Sequence, residues 1–172
     1  MKTNYSIALL FLLFWGNTFS QREIVPTDSL IINGQIKNPT VFHLAELDTF
    51  SLVSIADQVI YNHRGEIKDT LTGMKGIPLK NLLASINFDY EKPKELNEFY
   101  FVFTASDGYK VVFSWNEVYN TPLGNQYYIL TKMKGKNLAD INQRIIFISS
   151  GDLKTGRRYI KGLSKIELKR ID

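Results

Sequence analysis

The sequence contains no cysteine among its 172 residues. Without cysteine there is no disulfide, no thiolate nucleophile, no thiolate ligand for a metal and no site for lipid attachment through sulfur. The only two histidines, His43 and His63, do not have the spacing of zinc ligands. Nucleophile-elbow, P-loop and dinucleotide-binding glycine motifs are also missing. These absences argue against hydrolases, zinc enzymes and nucleotide-dependent enzymes.

The apolar run at positions 7–15 is too short to span a bilayer. It follows Met1-Lys2 and precedes a stretch of small and polar residues that ends at Gln21. This charged, apolar and small-residue order is typical of a secretory signal peptide. A buried core helix is the alternative, but no acidic residue occurs before Glu23. We therefore expect residues 1–20 to be a signal peptide, and the protein to be exported, periplasmic or secreted, with no membrane anchor.

The composition indicates one domain. Hydrophobic residues make up 44% of the chain and aromatic residues 13%, which is enough for one well-packed core. We expect residues 21–29 to form an extended lead-in and residues 30–172 to form the single domain. The basic pI of about 9.2 is compatible with nucleic-acid binding. An exported protein meets little nucleic acid, however, so we expect no such partner.

A hairpin is predicted around Asp107-Gly108, because β-branched and aromatic runs flank this strong turn signal. A two-residue turn pairs Ser106 with Tyr109. Both faces of the resulting strands are largely apolar, so we expect the hairpin to lie inside the domain and not at a solvated edge. Ser114 and Glu117 then have the spacing of a capping box, which predicts a short helix from residue 115.

Other elements follow from local patterns. Residues 73–78 are expected to open a helix with Pro78 at its first position. The apolar stripe of this helix has helical spacing and consists of Leu79, Leu82, Leu83 and Ile86. Residues 51–61, 127–131 and 144–149 read as strands. The alternation around Ile166 and Leu168 predicts a half-buried edge strand at the end of the chain.

Several short motifs occur in a defined order along most of the chain. They are Ile32-Asn33-Gly34 with Asn38-Pro39, Leu44-Ala45-Glu46-Leu47, Gly76-Ile77-Pro78-Leu79-Lys80-Asn81-Leu82-Leu83, Ser106-Asp107-Gly108-Tyr109, Phe113-Ser114-Trp115-Asn116-Glu117 and Arg158-Tyr159-Ile160-Lys161-Gly162-Leu163. Together they resemble the molybdopterin-binding domain of the sulfite oxidase family, in a short, free-standing, exported form. The resemblance implies a mixed α+β fold of several small β-sheets with short covering helices.

The resemblance also implies a cofactor site. In that family a pterin dithiolene and one cysteine thiolate hold the metal, whereas this chain has no cysteine. The region nearest to the missing ligand contains Asn62, His63 and Arg64, which we take as candidate cofactor-binding residues. Arg158 and Lys161 correspond to the basic residues that would hold the pterin phosphate. The alternative for this basic stretch is a solvated edge that discourages strand aggregation.

Two functions remain open. The first is a non-catalytic binding module for a small anionic ligand or a protein partner. The second is a molybdopterin-dependent oxidoreductase with a non-cysteine metal ligand. The absence of cysteine favours the first, so molybdopterin is a possible cofactor only through the resemblance. The turn and the helix cap account for Asp107 and Glu117, and we assign no catalytic residue and no metal ligand.

Overall fold

The computed structural model describes residues 23–171, so the expected signal peptide and the start of the lead-in lie outside the described residues. The strands are β1 (Ser29–Gly34), β2 (Thr40–His43), β3 (Val53–Ile55), β4 (Gln58–Tyr61), β5 (Ile67–Leu71), β6 (Met74–Pro78), β7 (Phe99–Ala105), β8 (Lys110–Ser114), β9 (Tyr127–Met133), β10 (Lys136–Asn137), β11 (Ile146–Ser149), β12 (Ile160–Lys161) and β13 (Leu163–Arg170). The α-helices are α1 (Leu44–Leu47), α2 (Leu79–Leu83) and α3 (Trp115–Tyr119). Turns of 3₁₀ helix lie at Pro93–Glu98, Pro122–Gln126, Leu138–Asp140 and Thr155–Arg157.

The strands form three sheets. A five-stranded sheet has the order β2-β1-β13-β7-β8, and a six-stranded sheet has the order β12-β11-β9-β6-β3 with β10 paired to β9. The third sheet is the hairpin β4-β5. In the part of the chain that the structure describes, no helix is long and apolar enough to cross a membrane. The predicted α+β class, with several small sheets and short helices, is confirmed.

The two larger sheets pack through aromatic side chains. Phe103 on β7 lies with its ring centroid 4.8 Å from that of Phe147 on β11, in an edge-to-face arrangement. Phe113 on β8 contacts both Phe147, at 5.2 Å, and Tyr127 on β9, at 5.1 Å. Edge-to-face contacts of this kind are favourable beyond the area they bury. This cluster fixes one sheet against the other and forms the centre of the core.

The register predicted for the central hairpin is wrong by one residue. The strands pair Thr104 with Lys110 and Phe101 with Phe113. Ala105 N donates a hydrogen bond to Tyr109 O at 2.9 Å, so the loop between these two residues contains three residues, and Gly108 has the positive φ of 84° that the turn signal predicts. A turn followed by one left-handed glycine is the usual three-residue hairpin loop, and it shifts the pairing by one position relative to a two-residue turn.

Two predicted strand positions are also wrong. The hairpin does not lie inside the sheet, since β8 is an edge strand and its Val112 is 56% exposed. The last strand is not an edge, because β13 lies between β1 and β7. The buried residues Ile166 and Leu168 face the core, while the charged residues that alternate with them, Lys165 and Glu167, lie on the other, half-exposed face of the sheet. Alternation therefore identified the faces of this strand correctly but not its place in the sheet.

Residues 51–61 form two strands in different sheets, β3 and β4, and not one. Residues 74–78 form strand β6, and Pro78 is the N-cap of α2 and not its first helical residue.

The predicted apolar stripe of α2 is confirmed, because Leu79, Leu82 and Leu83 are buried in the main core. The Ser114 cap is also confirmed, since Ser114 Oγ accepts a hydrogen bond from Glu117 N at 3.0 Å.

Candidate functional site

A cleft of about 530 Å³ opens between the small hairpin and the six-stranded sheet. Its walls come from β4 and β5, from the 3₁₀ turn Thr155–Arg157, from β12 and from the loop of the central hairpin. It brings together segments that lie more than a hundred residues apart in the sequence. The cleft is therefore a product of the fold and not of one local motif.

The 3₁₀ turn is held tightly against β4. Thr155 Oγ1 donates a hydrogen bond to Val59 O at 2.7 Å. The Cα of Gly156 faces the backbone so closely that a Cβ there would lie 2.1 Å from Tyr61 O. On the other side, the Tyr109 hydroxyl donates to Arg157 O at 2.5 Å. These contacts fix the backbone of Arg157 at the rim of the cleft.

The lead-in contributes a further wall. Ile24 lines the cleft, and Val25 O accepts a hydrogen bond from Ser106 Oγ at 2.7 Å. The backbone N–H of Ser106 donates to Gly162 O at 2.8 Å. Gly162 has a φ of 61°, and a Cβ there would lie 2.7 Å from Ser106 Oγ. The hairpin loop, the lead-in and the start of the last strand thus close one side of the cleft.

The charges that line the cleft are predominantly positive. The cations are Lys68, Arg157 and Lys161, and the carboxylates are Asp69 and Asp107. Both carboxylates already have partners within the protein. Lys134 Nζ donates to Asp69 Oδ1 at 2.6 Å, and Asp107 Oδ1 accepts from Tyr109 N at 2.8 Å. The hydrogen bond from Lys134 is the main reason that the pKa of Asp69 is lowered.

Lys161 is the half-buried cation of this group. Its Nζ lies 5.4 Å from the centroid of the Tyr159 ring. Within residues 23–171, its Nζ has no hydrogen-bond or ion-pair partner. Burial lowers the pKa of Lys161, and the positive charge of Lys68 lowers it further, with a smaller effect from Lys134. Burial also raises the pKa of the Tyr159 hydroxyl. The cleft thus presents an amine whose pKa lies below the usual value for lysine, although the charge of Asp69 acts in the opposite direction.

Three of the five predicted cofactor-binding residues line this cleft, namely Asn62, His63 and Lys161. Asn62 also organises the turn after β4, because its Oδ1 accepts hydrogen bonds from Arg64 N at 2.9 Å and Glu66 N at 3.0 Å. The side chain of Arg64 is exposed and does not line the cleft.

The structure does not bring Arg158 and Lys161 together. Arg158 lies under the loop after β11, where its Nε donates to Asp152 Oδ2 at 2.7 Å. Its two terminal nitrogens donate to Asp152 Oδ1 and to Glu117 Oε1. The guanidinium also lies 4.9 Å from the centroid of the Phe113 ring. The hydrogen bonds to Asp152 are the main cause of the raised pKa of Arg158.

This network gives the Glu117 carboxylate a different role from the helix cap that the sequence predicts. The Glu117 carboxylate does not close the capping box but accepts hydrogen bonds from Arg158 and, at 2.8 Å, from the Tyr127 hydroxyl. Sequence reasoning also missed Lys68 and Asp69, because β5 was not predicted. A signal for β5 existed in the turn at residues 62–66 followed by the apolar ends Ile67 and Leu71.

The residues present do not fit the metal centre that the resemblance implies. The cleft offers Tyr61, Asn62 and His63 near the expected ligand position, and none of them is a thiolate. A soft thiolate suits molybdenum, whereas hydroxyl, amide and imidazole groups differ in affinity and in redox tuning. Across residues 23–171, no group of three or more acidic or histidine side chains could hold a metal ion. The cations of the cleft do fit an anionic group.

One comparison with known proteins bears on the fold. No family model matches the chain, and a search of curated proteins gives no match. Among solved structures, the chain is similar to the sulfane dehydrogenase SoxCD from Paracoccus pantotrophus, with a TM-score of 0.60 and 17% identity. The match covers 83% of this chain but only 39% of that chain. The described domain therefore has the α+β fold of a sulfite-oxidase-like protein and spans about two fifths of the matched chain's length.

Proposed function

We propose that this protein is a non-catalytic module that binds a small anionic molecule in the cleft. The observation that supports the proposal most directly is the half-buried Nζ of Lys161, which has no carboxylate partner within the described residues. A charged group that is withdrawn from water without a partner is unfavourable. An anion in the cleft would compensate this cost.

The neighbouring cations support the same ligand class. Arg157 presents a planar guanidinium that can form two parallel hydrogen bonds to a phosphate or carboxylate, and Lys68 adds a point charge. Neither side chain has an ion-pair partner in the part of the chain that the structure describes. The rings of Tyr109 and Tyr159 give the cleft apolar walls. A small organic anion with a flat or apolar body suits this combination.

The lack of redox function is part of the proposal. It rests on the absence of a thiolate from the whole sequence, because the fold alone does not carry the activity of the sulfane dehydrogenase that it resembles. The oxidoreductase alternative predicts molybdenum and pterin in protein purified from its native compartment. One molybdenum per chain would favour that alternative, and none would favour the binding module.

Anion binding can be tested by thermal unfolding at constant ionic strength. Phosphate should raise the melting temperature of the parent protein more than chloride does, because a ligand that prefers the native state stabilises it by mass action. Lys161→Met and Arg157→Gln should reduce the rise, whereas Lys132→Gln, on the exposed side of β9, should not. An equal response of all four proteins would contradict the proposal and leave a protein partner as the ligand.

We also propose that the protein is exported, on the basis of the N-terminal sequence pattern. Cell fractionation followed by mass spectrometry of the mature protein tests this proposal. The expected N-terminus is Gln21. An intact Met1 on a cytoplasmic protein would contradict it.

A further inference from the structure

We propose that Lys161 forms a reversible covalent bond with its ligand, by condensing with the aldehyde or ketone group of a small anionic carbonyl compound. The inference rests on the proposed anion-binding function and specifies the ligand class. The cleft would recognise two features of one molecule, a carbonyl group at Lys161 and an anionic group at the other cations.

The position of Lys161 is well defined by the backbone. Lys161 pairs with Ile146 across β12 and β11, and the following Gly162 is fixed by its hydrogen bond from Ser106. The amine is half-buried, lies beside the Tyr159 ring and has no ion-pair partner in the described part of the chain. An amine that is not engaged by a carboxylate is free to react from a defined position.

The surroundings of Lys161 raise the fraction of its neutral, nucleophilic form. Burial has the largest effect, Lys68 on β5 and Lys134 after β9 act in the same direction, and the pKa of Lys161 is lowered. Asp69 on β5 acts in the opposite direction, but it is already engaged by Lys134. A lysine that is desolvated beside other cations is a recognised way to activate an amine toward carbonyl groups.

The other charged or titratable side chains that face the cleft have separate roles, which follow from their positions. The Arg157 guanidinium and the Lys68 ammonium would hold the anionic group, whereas His63 is exposed at the rim. Asp107 is held by the backbone N–H of Tyr109 in the hairpin turn. Both carboxylates that line the cleft, Asp69 and Asp107, are therefore already engaged by other groups, and neither forms an ion pair with the Lys161 amine.

The reaction balances without an oxidant or a reductant. The lone pair of the neutral Lys161 amine attacks the carbonyl carbon, and the carbonyl electron pair moves to oxygen, which is then protonated. The resulting carbinolamine loses its hydroxyl group as water, and the nitrogen forms a C=N bond. Hydrolysis reverses each step, so the product is a reversible imine.

Pyridoxal 5′-phosphate is a suitable probe because it carries both an aldehyde and a phosphate. The full mature chain would be treated with limiting probe and cyanoborohydride, and the modified lysines would be located by peptide mass spectrometry. We expect Lys161 to be labelled several times faster than the exposed Lys132. Inorganic phosphate should slow the labelling, and pyridoxal without phosphate should label Lys161 less well.

Three variants separate the contributions. Lys161→Arg keeps the positive charge and should abolish the selective label while retaining the thermal response to phosphate. Arg157→Gln should slow labelling without moving it to another lysine. Lys68→Gln should shift the pH dependence of labelling toward higher pH, because it removes a positive charge beside Lys161, and a merely structural role would not produce this shift.

The two proposals fail in different ways. If phosphate raises the melting temperature but Lys161 is labelled no faster than Lys132, the covalent inference is overturned and anion binding stands. If phosphate has no effect and labelling is uniform over the exposed lysines, both are overturned. Selective labelling that phosphate does not slow would overturn the assignment of Arg157 and Lys68 to the anionic group.

Discussion

Arg158 and Asp152 form a two-pronged contact, in which Arg158 Nε donates to Asp152 Oδ2 at 2.7 Å and a terminal nitrogen donates to the other carboxylate oxygen. The side chain of Asp152 is only 10% exposed and that of Arg158 20%. Ser149 Oγ donates to the same carboxylate at 2.6 Å. The contact ties the loop after β11 to α3 through Glu117, so we regard it as structural.

The first prediction concerns this ion pair. Arg158→Ala should lower the free energy of unfolding by about 2–4 kcal/mol, because it leaves two carboxylates without their common partner in a partly dry site. Arg157→Ala is the matched control, since the adjacent side chain is exposed, and it should change stability by less than about 0.5 kcal/mol. Urea unfolding measures both. Equal, small effects of the two substitutions would show that the pair contributes little.

The second prediction concerns the hairpin loop. Gly108→Val should destabilise the protein by about 1–3 kcal/mol, because a β-branched residue is strained at a φ of 84°. Gly108→Asn should cost less, since asparagine tolerates the left-handed region better. Denaturant midpoints of the three proteins test this order. A valine variant as stable as the parent would mean that the loop adopts another conformation.

Local sequence patterns predicted which face of a helix or strand is buried better than they predicted which strands lie beside each other. The apolar stripe of α2 and the Ser114 cap depend on residues within one or two turns, and both were predicted correctly. The hairpin register depends on whether Gly108 adds one residue to the loop, which the turn signal alone does not decide. The central position of β13 depends on pairing with the distant strands β1 and β7, for which its alternation carries no information.

The third prediction concerns the packing of the 3₁₀ turn against β4. Gly156→Ala should destabilise the protein by about 1–3 kcal/mol, because the added Cβ would lie 2.1 Å from Tyr61 O and one backbone must move. The same movement should weaken the thermal response to phosphate, since Arg157 follows directly. Thr155→Ser is a mild control that keeps the hydroxyl on Val59 O. An alanine variant with unchanged stability and phosphate response would contradict the close contact.

The fourth prediction concerns the pH dependence of stability. The pKa of Asp69 is lowered in the folded protein, so its ion pair with Lys134 stabilises the fold above the unfolded-state pKa of about 4 and is lost as the pH falls through the lower folded-state value. Asp69→Asn should therefore reduce stability at pH 7, by less than about 1 kcal/mol because the pair is partly exposed. The difference from the parent should disappear at low pH. Urea midpoints from pH 7 downward measure it, and a constant difference would contradict the assignment.

The cleft could be predicted only in part. Lys161 was predicted from a motif, and Asn62 and His63 from their position near the expected metal ligand, and all three line the cleft. Arg158 was grouped with Lys161 because both correspond to the phosphate-binding residues of the family that the sequence resembles, but Asp152 and Glu117 engage its guanidinium away from the cleft. Lys68 enters the cleft on the short strand β5, which we did not predict from the sequence. Ion pairs between side chains of distant segments thus decide which cations remain available to bind an anion.

The central claim is that Lys161, Lys68 and Arg157, and not Arg158, receive an anion. The most direct test is a phosphate titration of isotope-labelled protein followed by NMR at constant ionic strength. We expect saturable shifts for the side chains of Lys161 and Arg157, little change for Arg158, and loss of the response in Lys161→Met. Saturable shifts at Arg158 with none at Lys161, or shifts that rise linearly without saturation, would contradict the account.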